Sequence, residues 1–285
     1  MASGKNGVEM FLSQRHETVG HARRSFVLMY HSLHSADRSA PANDSVAGPL
    51  FAQHMQALSE RGYSPCSIDE YVNWLSGEGA IKEGNFLITF DDGYQSVYKY
   101  AFPILKAMGW SATVFLVTGM MEKTPSWPKR RARDLERLLS TIEIREMAKA
   151  GFCFHSHTHM HVGLTNVSDK TLRNELAASK QVIATITYNI ANESFFIAYP
   201  YGRYNQRVVD AVKRTGYKAA FSVMPGFNRT GGDLFNIHRL DIRQGDSVRK
   251  LIRKVTFGMN EVSARNVLRY YLRRFQTRFL RHTSK

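Results

Sequence analysis

Two acidic residues stand side by side at Asp91 and Asp92, between the apolar run NFLITF and Gly93, a residue that tolerates a tight turn. Adjacent carboxylates repel, so at least one of them should have a raised pKa unless a cation or a shared proton relieves the pair. Further on come four histidines within seven residues, His155, His157, His159 and His161. Neutral imidazole is the commonest transition-metal nitrogen ligand, so the cluster points to a metal. If the run were extended throughout, His157 and His161 would sit about 13 Å apart, and His155 and His157 would be the neighbours on one face. On a turn, positions four apart come within roughly 6 Å of each other. The pattern alone leaves both pairings open. A third motif is Tyr199-Pro200-Tyr201-Gly202. Proline fixes φ there and glycine permits a sharp turn, so the Tyr201 N–H could be held toward a reacting carbonyl and stabilise an oxyanion.

All three motifs follow short apolar runs, and those runs alternate with helical patterns. SFVLMYH, NFLITF, ATVFLV, GFCFHS, FFIAY, YKAAFSV and NIHRLDI read as strands. Helices are expected from about Pro49 to Arg61, Ser96 to Met108, Ile142 to Ala150, Lys170 to Ile190, Gln206 to Arg214 and Ser247 to Lys254. Repeated strand, helix, strand units give a parallel sheet, and this many suggest a closed or nearly closed α/β barrel, whose C-terminal strand ends carry the chemistry. The stretch 118–140 is too long and proline-interrupted for a simple connection, and is read either as a cover over the site or as a solvated excursion.

In this order the motifs resemble the polysaccharide deacetylase family, also called the NodB-homology or carbohydrate esterase family 4 fold. Thr89 to Gly93 matches its T-F-D-D-G, Ser156 to His161 its S-H-[ST]-x-x-H, and Pro200 to Gly202 its P-Y-G. VLMYHSL is similar to the opening of the branch containing poly-N-acetylglucosamine deacetylases, so the resemblance covers roughly residues 25–243. It implies a single distorted seven-stranded (β/α) barrel. It also implies Asp91 as general base and Asp92, His157 and His161 as ligands of a divalent ion, zinc in most members. Three protein ligands leave a position open for water, as catalytic rather than closed structural sites do. Tyr201 would contribute its N–H to the oxyanion.

The match has gaps. The family's acid comes from a late L-x-L-H motif, which Phe235-Asn236-Ile237-His238 follows only loosely; His238 is the candidate acid and His31, in the first strand, the reserve. Many members place an arginine two residues before the proline to pair with the base, whereas here that position is Ala198. Arg239 is a substitute partner for the base, weighed against a surface or phosphate-binding role. No D-x-x-x-W-type motif for the pocket wall is found.

A hydrophobic fraction of 43% and 12% aromatic residues in 285 exclude a disordered chain and allow one large domain. Expected divisions are an arm over 1–24, the catalytic domain over 25–258 and a basic amphipathic helix over 259–285. In that tail Ala264, Leu268, Tyr271, Phe275 and Phe279 share a stripe flanked by arginines, a pattern that suits an anionic membrane surface or the protein's own barrel. Cys66 and Cys153 form neither a close-spaced metal motif nor a disulfide framework. The start lacks the apolar core of a secretory signal and no run approaches the ~18 to 20 residues of a spanning helix, so the expected place is the cytoplasm, at or near the inner membrane face. The formal charge of +15 favours anionic partners, but no nucleic-acid motif accompanies it and none is expected to bind. The expected function is removal of an N-acyl group, acetyl above all, from an amino sugar in a glycan, lipid-linked or nucleotide-linked saccharide during polysaccharide or lipopolysaccharide assembly. The alternatives are a carbohydrate O-acetyl esterase and, from another class, a non-catalytic glycan- or nucleic-acid-binding scaffold.

Overall fold

The computed structural model describes residues 22–37, 42–125, 127, 136–188, 194–263 and 265–266. Most of the arm expected over 1–24 and of the basic helix expected over 259–285, and the middle of the 118–140 excursion, lie outside the described residues. In chain order come β1 (Val27–Tyr30), β2 (Ser32–His34), β3 (Ser45–Ala47), α1 (Gly48–Ser59), β4 (Ser64–Pro65), α2 (Ile68–Ser76) and β5 (Asn85–Phe90). Then follow α3 (Phe102–Ala107), β6 (Thr113–Leu116), α4 (Thr141–Lys149), β7 (Cys153–Ser156), α5 (Asp169–Ile186), β8 (Phe196–Ala198), α6 (Gln206–Arg214), β9 (Ala219–Phe221), β10 (Leu240–Asp241) and α7 (Val248–Phe257).

Seven strands run in the order β10-β1-β5-β6-β7-β8-β9, every neighbour parallel, and β4 extends the edge of β5. One parallel bridge, Phe221 to Ile237, brings the far edge back toward the segment leading into β10, so the barrel is nearly but thinly closed. Parallel strands covered on both faces are apolar throughout, and β1 and β6 are buried at every position. Phe26, Leu28, Phe86, Ile88, Val114 and Phe154 pack outward under the helices, whereas Val27, Leu87, Phe115, Phe196, Ala219 and Phe221 fill the interior. This period-two division is what holds Asp91, His157 and Tyr199 at the ends of β5, β7 and β8 around one mouth.

Five features depart from the sequence expectation. Helix α2, which carries Ile68, Tyr71, Val72, Trp74 and Leu75 into the interior cluster, was not expected. Its signal was present: Ser67 accepts from the Glu70 N–H at 3.2 Å while the Glu70 carboxylate accepts from the Ser67 N–H at 2.8 Å, a complete capping box. The helix expected over Ser96 to Met108 opens instead as a π-helical turn over Val97–Ala101, with the Phe102 N–H donating to Val97 O. Pro103 has no N–H to donate back into that turn, which accounts for the widening. The last strand is shorter than NIHRLDI, and β2 and β3 form a separate parallel pair. The fold also takes in Ala22, buried with its N–H on Ile81 O and its carbonyl accepting from Trp74 Nε1, so ordered packing starts before Ser25.

Candidate metal-dependent active site

β5 ends at Phe90, and the chain turns over Asp91, Asp92 and Gly93 at the barrel mouth. Asp92 takes a left-handed φ of 72° and Gly93 one of 77°; a Cβ on Gly93 would lie 2.8 Å from Leu116 Cδ2, so glycine is required there. β7 ends at Ser156, so the histidine run beyond it is a turn, which decides the open question of spacing. Ser156 Oγ accepts from the Thr158 N–H at 3.0 Å and Thr158 Oγ1 from the His161 N–H at 3.1 Å, while both Thr158 and His161 adopt positive φ. One Glu175 carboxylate oxygen accepts from the His159 and Met160 N–H groups at 2.9 and 2.8 Å, tying the turn to α5. Of the five non-glycine residues with positive φ among those described, four (Asp92, Thr158, His161 and Tyr201) lie in the three motifs, so backbone strain concentrates here.

This turn brings His157 and His161 together. Their Nε2 atoms lie 3.5 and 3.4 Å from Asp92 Oδ1, and the three donor atoms lie within 4.8 Å of one another. A tetrahedral ion with bonds of 2.0–2.1 Å separates its ligands by about 3.4 Å, so the donor set fits a divalent cation. His157 Nδ1 lies 2.8 Å from the Ala198 carbonyl, which fixes the tautomer that leaves Nε2 facing Asp92. Burial, and then the neighbouring His157, push the His161 pKa down to about 2. Its imidazole is therefore neutral, as a ligand must be, and its contact with Asp92 is ligand geometry rather than an ion pair. Burial raises the Asp92 pKa, more than the nearby histidines lower it. His155 belongs to neither pair at the mouth, because its ring turns into the barrel against Phe196. His159 faces Thr118 Oγ1 at 3.0 Å.

Asp91 meets a different partner. The Arg239 guanidinium donates to both of its oxygens, Nη1 to Oδ1 at 2.6 Å and Nη2 to Oδ2 at 2.8 Å. Arg239 is fully buried, anchored by Nε to Ser222 O at 2.8 Å and lying over the Phe115 ring. A surface or phosphate-binding role for Arg239 is therefore ruled out by its burial. Burial alone would raise the Asp91 pKa, but the Arg239 charge, with His157 behind it, holds the carboxyl well below the usual range. The two neighbouring carboxylates are thus pushed apart, one secured as an anion and one placed for a cation.

Tyr201 has a φ of 58°, and no acceptor among the described residues takes its N–H. Its half-exposed ring meets His161 edge-on at 4.7 Å, and Trp127 stacks on the same imidazole at 4.5 Å. Trp127 comes from the 118–140 excursion, so at this point the excursion does reach the site; a tryptophan between prolines gave no periodic signal for it. The two acid candidates are placed differently. His31 follows β1, beside β5, near enough to Asp91, Asp92 and His161 to act on each of them electrostatically, with a buried Nδ1 lacking a partner among the described residues. The His238 ring lies against Gly226; burial lowers its pKa, and the charge of Asp233 opposes that shift.

The sequence profile of the polysaccharide deacetylase family matches residues 79–220, which contain all three motifs. YxkH of Bacillus subtilis (strain 168), a protein named for the same family, is 29% identical over 221 residues, 78% of this chain and 72% of its own length. The poly-beta-1,6-N-acetyl-D-glucosamine N-deacetylase of Staphylococcus aureus (strain MRSA252) is 28% identical over 64% of this chain, which spans 62% of that enzyme. Among solved structures, the Streptococcus pyogenes deacetylase PplD in complex with acetate superposes with a TM-score of 0.70 at 28% identity, covering 81% of this chain and 98% of PplD.

Proposed function

We propose, from the premise that this chain belongs to the polysaccharide deacetylase family, that it is a hydrolase removing an N-acetyl group from an amino sugar. The observation that carries this reading is the division of labour between two adjacent carboxylates, Asp91 clamped by Arg239 and Asp92 grouped with His157 and His161. Asp92, His157 and His161 would hold the divalent ion, zinc in this reading, whose chemistry is to polarise the acyl carbonyl and acidify water. Asp91, ionised and fixed by two hydrogen bonds, is the base that takes the proton of the attacking water. The Tyr201 N–H donates to the oxyanion that develops as the carbonyl carbon becomes tetrahedral. The departing amine needs a proton, and His31 supplies it in this reading, in place of His238.

The substrate class is an acetylated glycan or a lipid- or nucleotide-linked saccharide. The test is acetate release from each of these by metal-loaded wild type beside Asp91→Asn. Release that stops in the variant while its metal content is unchanged supports the reading. Release from O-acetyl but not N-acetyl sugars would replace it with an esterase, and release that persists in the variant would remove Asp91 as base.

A further inference from the structure

At the barrel end opposite the mouth, β7 begins with Cys153, and His155 follows two residues later on the same strand face. Both line a cavity of about 180 Å³, together with Asp69, Thr187 and Ser194. His155 is only 6% exposed and wedged between Phe115 and Phe196, yet neither ring nitrogen has a hydrogen-bond partner among the described residues. A buried imidazole with both nitrogens unmatched calls for a partner. Burial, and then the negative charge of Asp69, push the Cys153 thiol up to about 11, while the Ile68 N–H at the start of the nine-residue α2 acts in the opposite sense. A soft or borderline cation satisfies all three conditions. It displaces the thiol proton to solvent, takes a lone pair from the imidazole, and is attracted by the carboxylate.

We propose that Cys153 and His155 form a second, thiolate-containing site for a divalent cation of the Zn²⁺ class, distinct from Asp92, His157 and His161. Side chains two apart on a strand face can converge on one ion, and Cys153 is only partly buried, which gives the ion a way in. Asp69 is not part of a converged three-donor group, so it acts through its charge and solvent in the cavity completes the coordination. The site needs nothing from the hydrolase reading.

Co²⁺ is the probe, because thiolate-to-cobalt charge transfer absorbs in the near ultraviolet and the mouth triad contains no sulfur. Titration of the metal-free full chain is expected to show two bound equivalents, one of them carrying that absorption. Cys153→Ser should lose the absorption and one equivalent, and Cys66→Ser should lose neither. Asp92→Ala should lose the other equivalent and keep the absorption, which separates the two sites. His155→Leu, folded by circular dichroism, should weaken the absorbing site at least tenfold. No absorption in the wild type, absorption that survives Cys153→Ser, or unchanged affinity in His155→Leu would each overturn the proposal.

Discussion

Replacing Arg239 by methionine removes the charge and both hydrogen bonds from Asp91 while keeping most of the buried stem. Two unit charges about 4 Å apart in a medium of effective dielectric near 20 attract by about 4 kcal/mol. That is worth about three pKa units. The Asp91 pKa is depressed in the folded protein, so its stabilising contribution is present above the unfolded value and is lost as pH falls through the folded one. In the wild type the base should therefore stay ionised throughout the weakly acidic range. In Arg239→Met burial acts unopposed, and the acidic limb of kcat/KM should climb by about three units into the range where the wild type is flat. At pH 7.5 urea unfolding should also show a loss of about 3–5 kcal/mol, the usual consequence of stranding one partner of a buried ion pair. Arg239→Lys, which keeps the charge but not the two-pronged geometry, should fall between. An acidic limb unmoved in Arg239→Met, with the protein folded and metal-loaded, would refute the claim that Arg239 sets the base.

His31→Gln should lower kcat on an amide substrate by about 10²–10⁴-fold with metal content unchanged, and His238→Gln by only a few fold; the reverse ranking would return the acid role to His238. Trp127→Ala removes the stack on His161, worth about 0.5–1.5 kcal/mol, so metal affinity measured by competition with a chelator should drop by up to about tenfold. Ser67→Ala breaks the capping box of α2 and should cost about 0.5–2 kcal/mol in urea unfolding while leaving kcat in the metal-loaded enzyme unchanged.

The motif residues were legible because their chemistry needs particular atoms at particular strand ends, and the apolar runs before Asp91, His157 and Tyr199 marked those ends. Most strands and helices were legible for the same reason, as α6 shows: its expected range Gln206 to Arg214 is the observed one. The capping box of α2 was also written in the chain but is a four-residue signal, easily passed over beside longer periodic ones. Arg239 as partner of Asp91 was nameable yet undecidable, since 148 residues separate them and only the pairing of β10 with β1, itself paired with β5, brings the guanidinium to the carboxylate. The contrast between His31 and His238 has the same origin, because strand order sets which histidine faces the acidic pair. Residue types and local spacing thus determined which groups could do chemistry, but left open whether His155 or His161 is the partner of His157 until the end of β7 at Ser156 decided it. The pairing of Arg239 with Asp91, the Trp127 and Tyr201 walls and the inward turn of His155 were decided by tertiary structure alone, because each depends on contacts between segments whose separation in sequence carries no information about their separation in space.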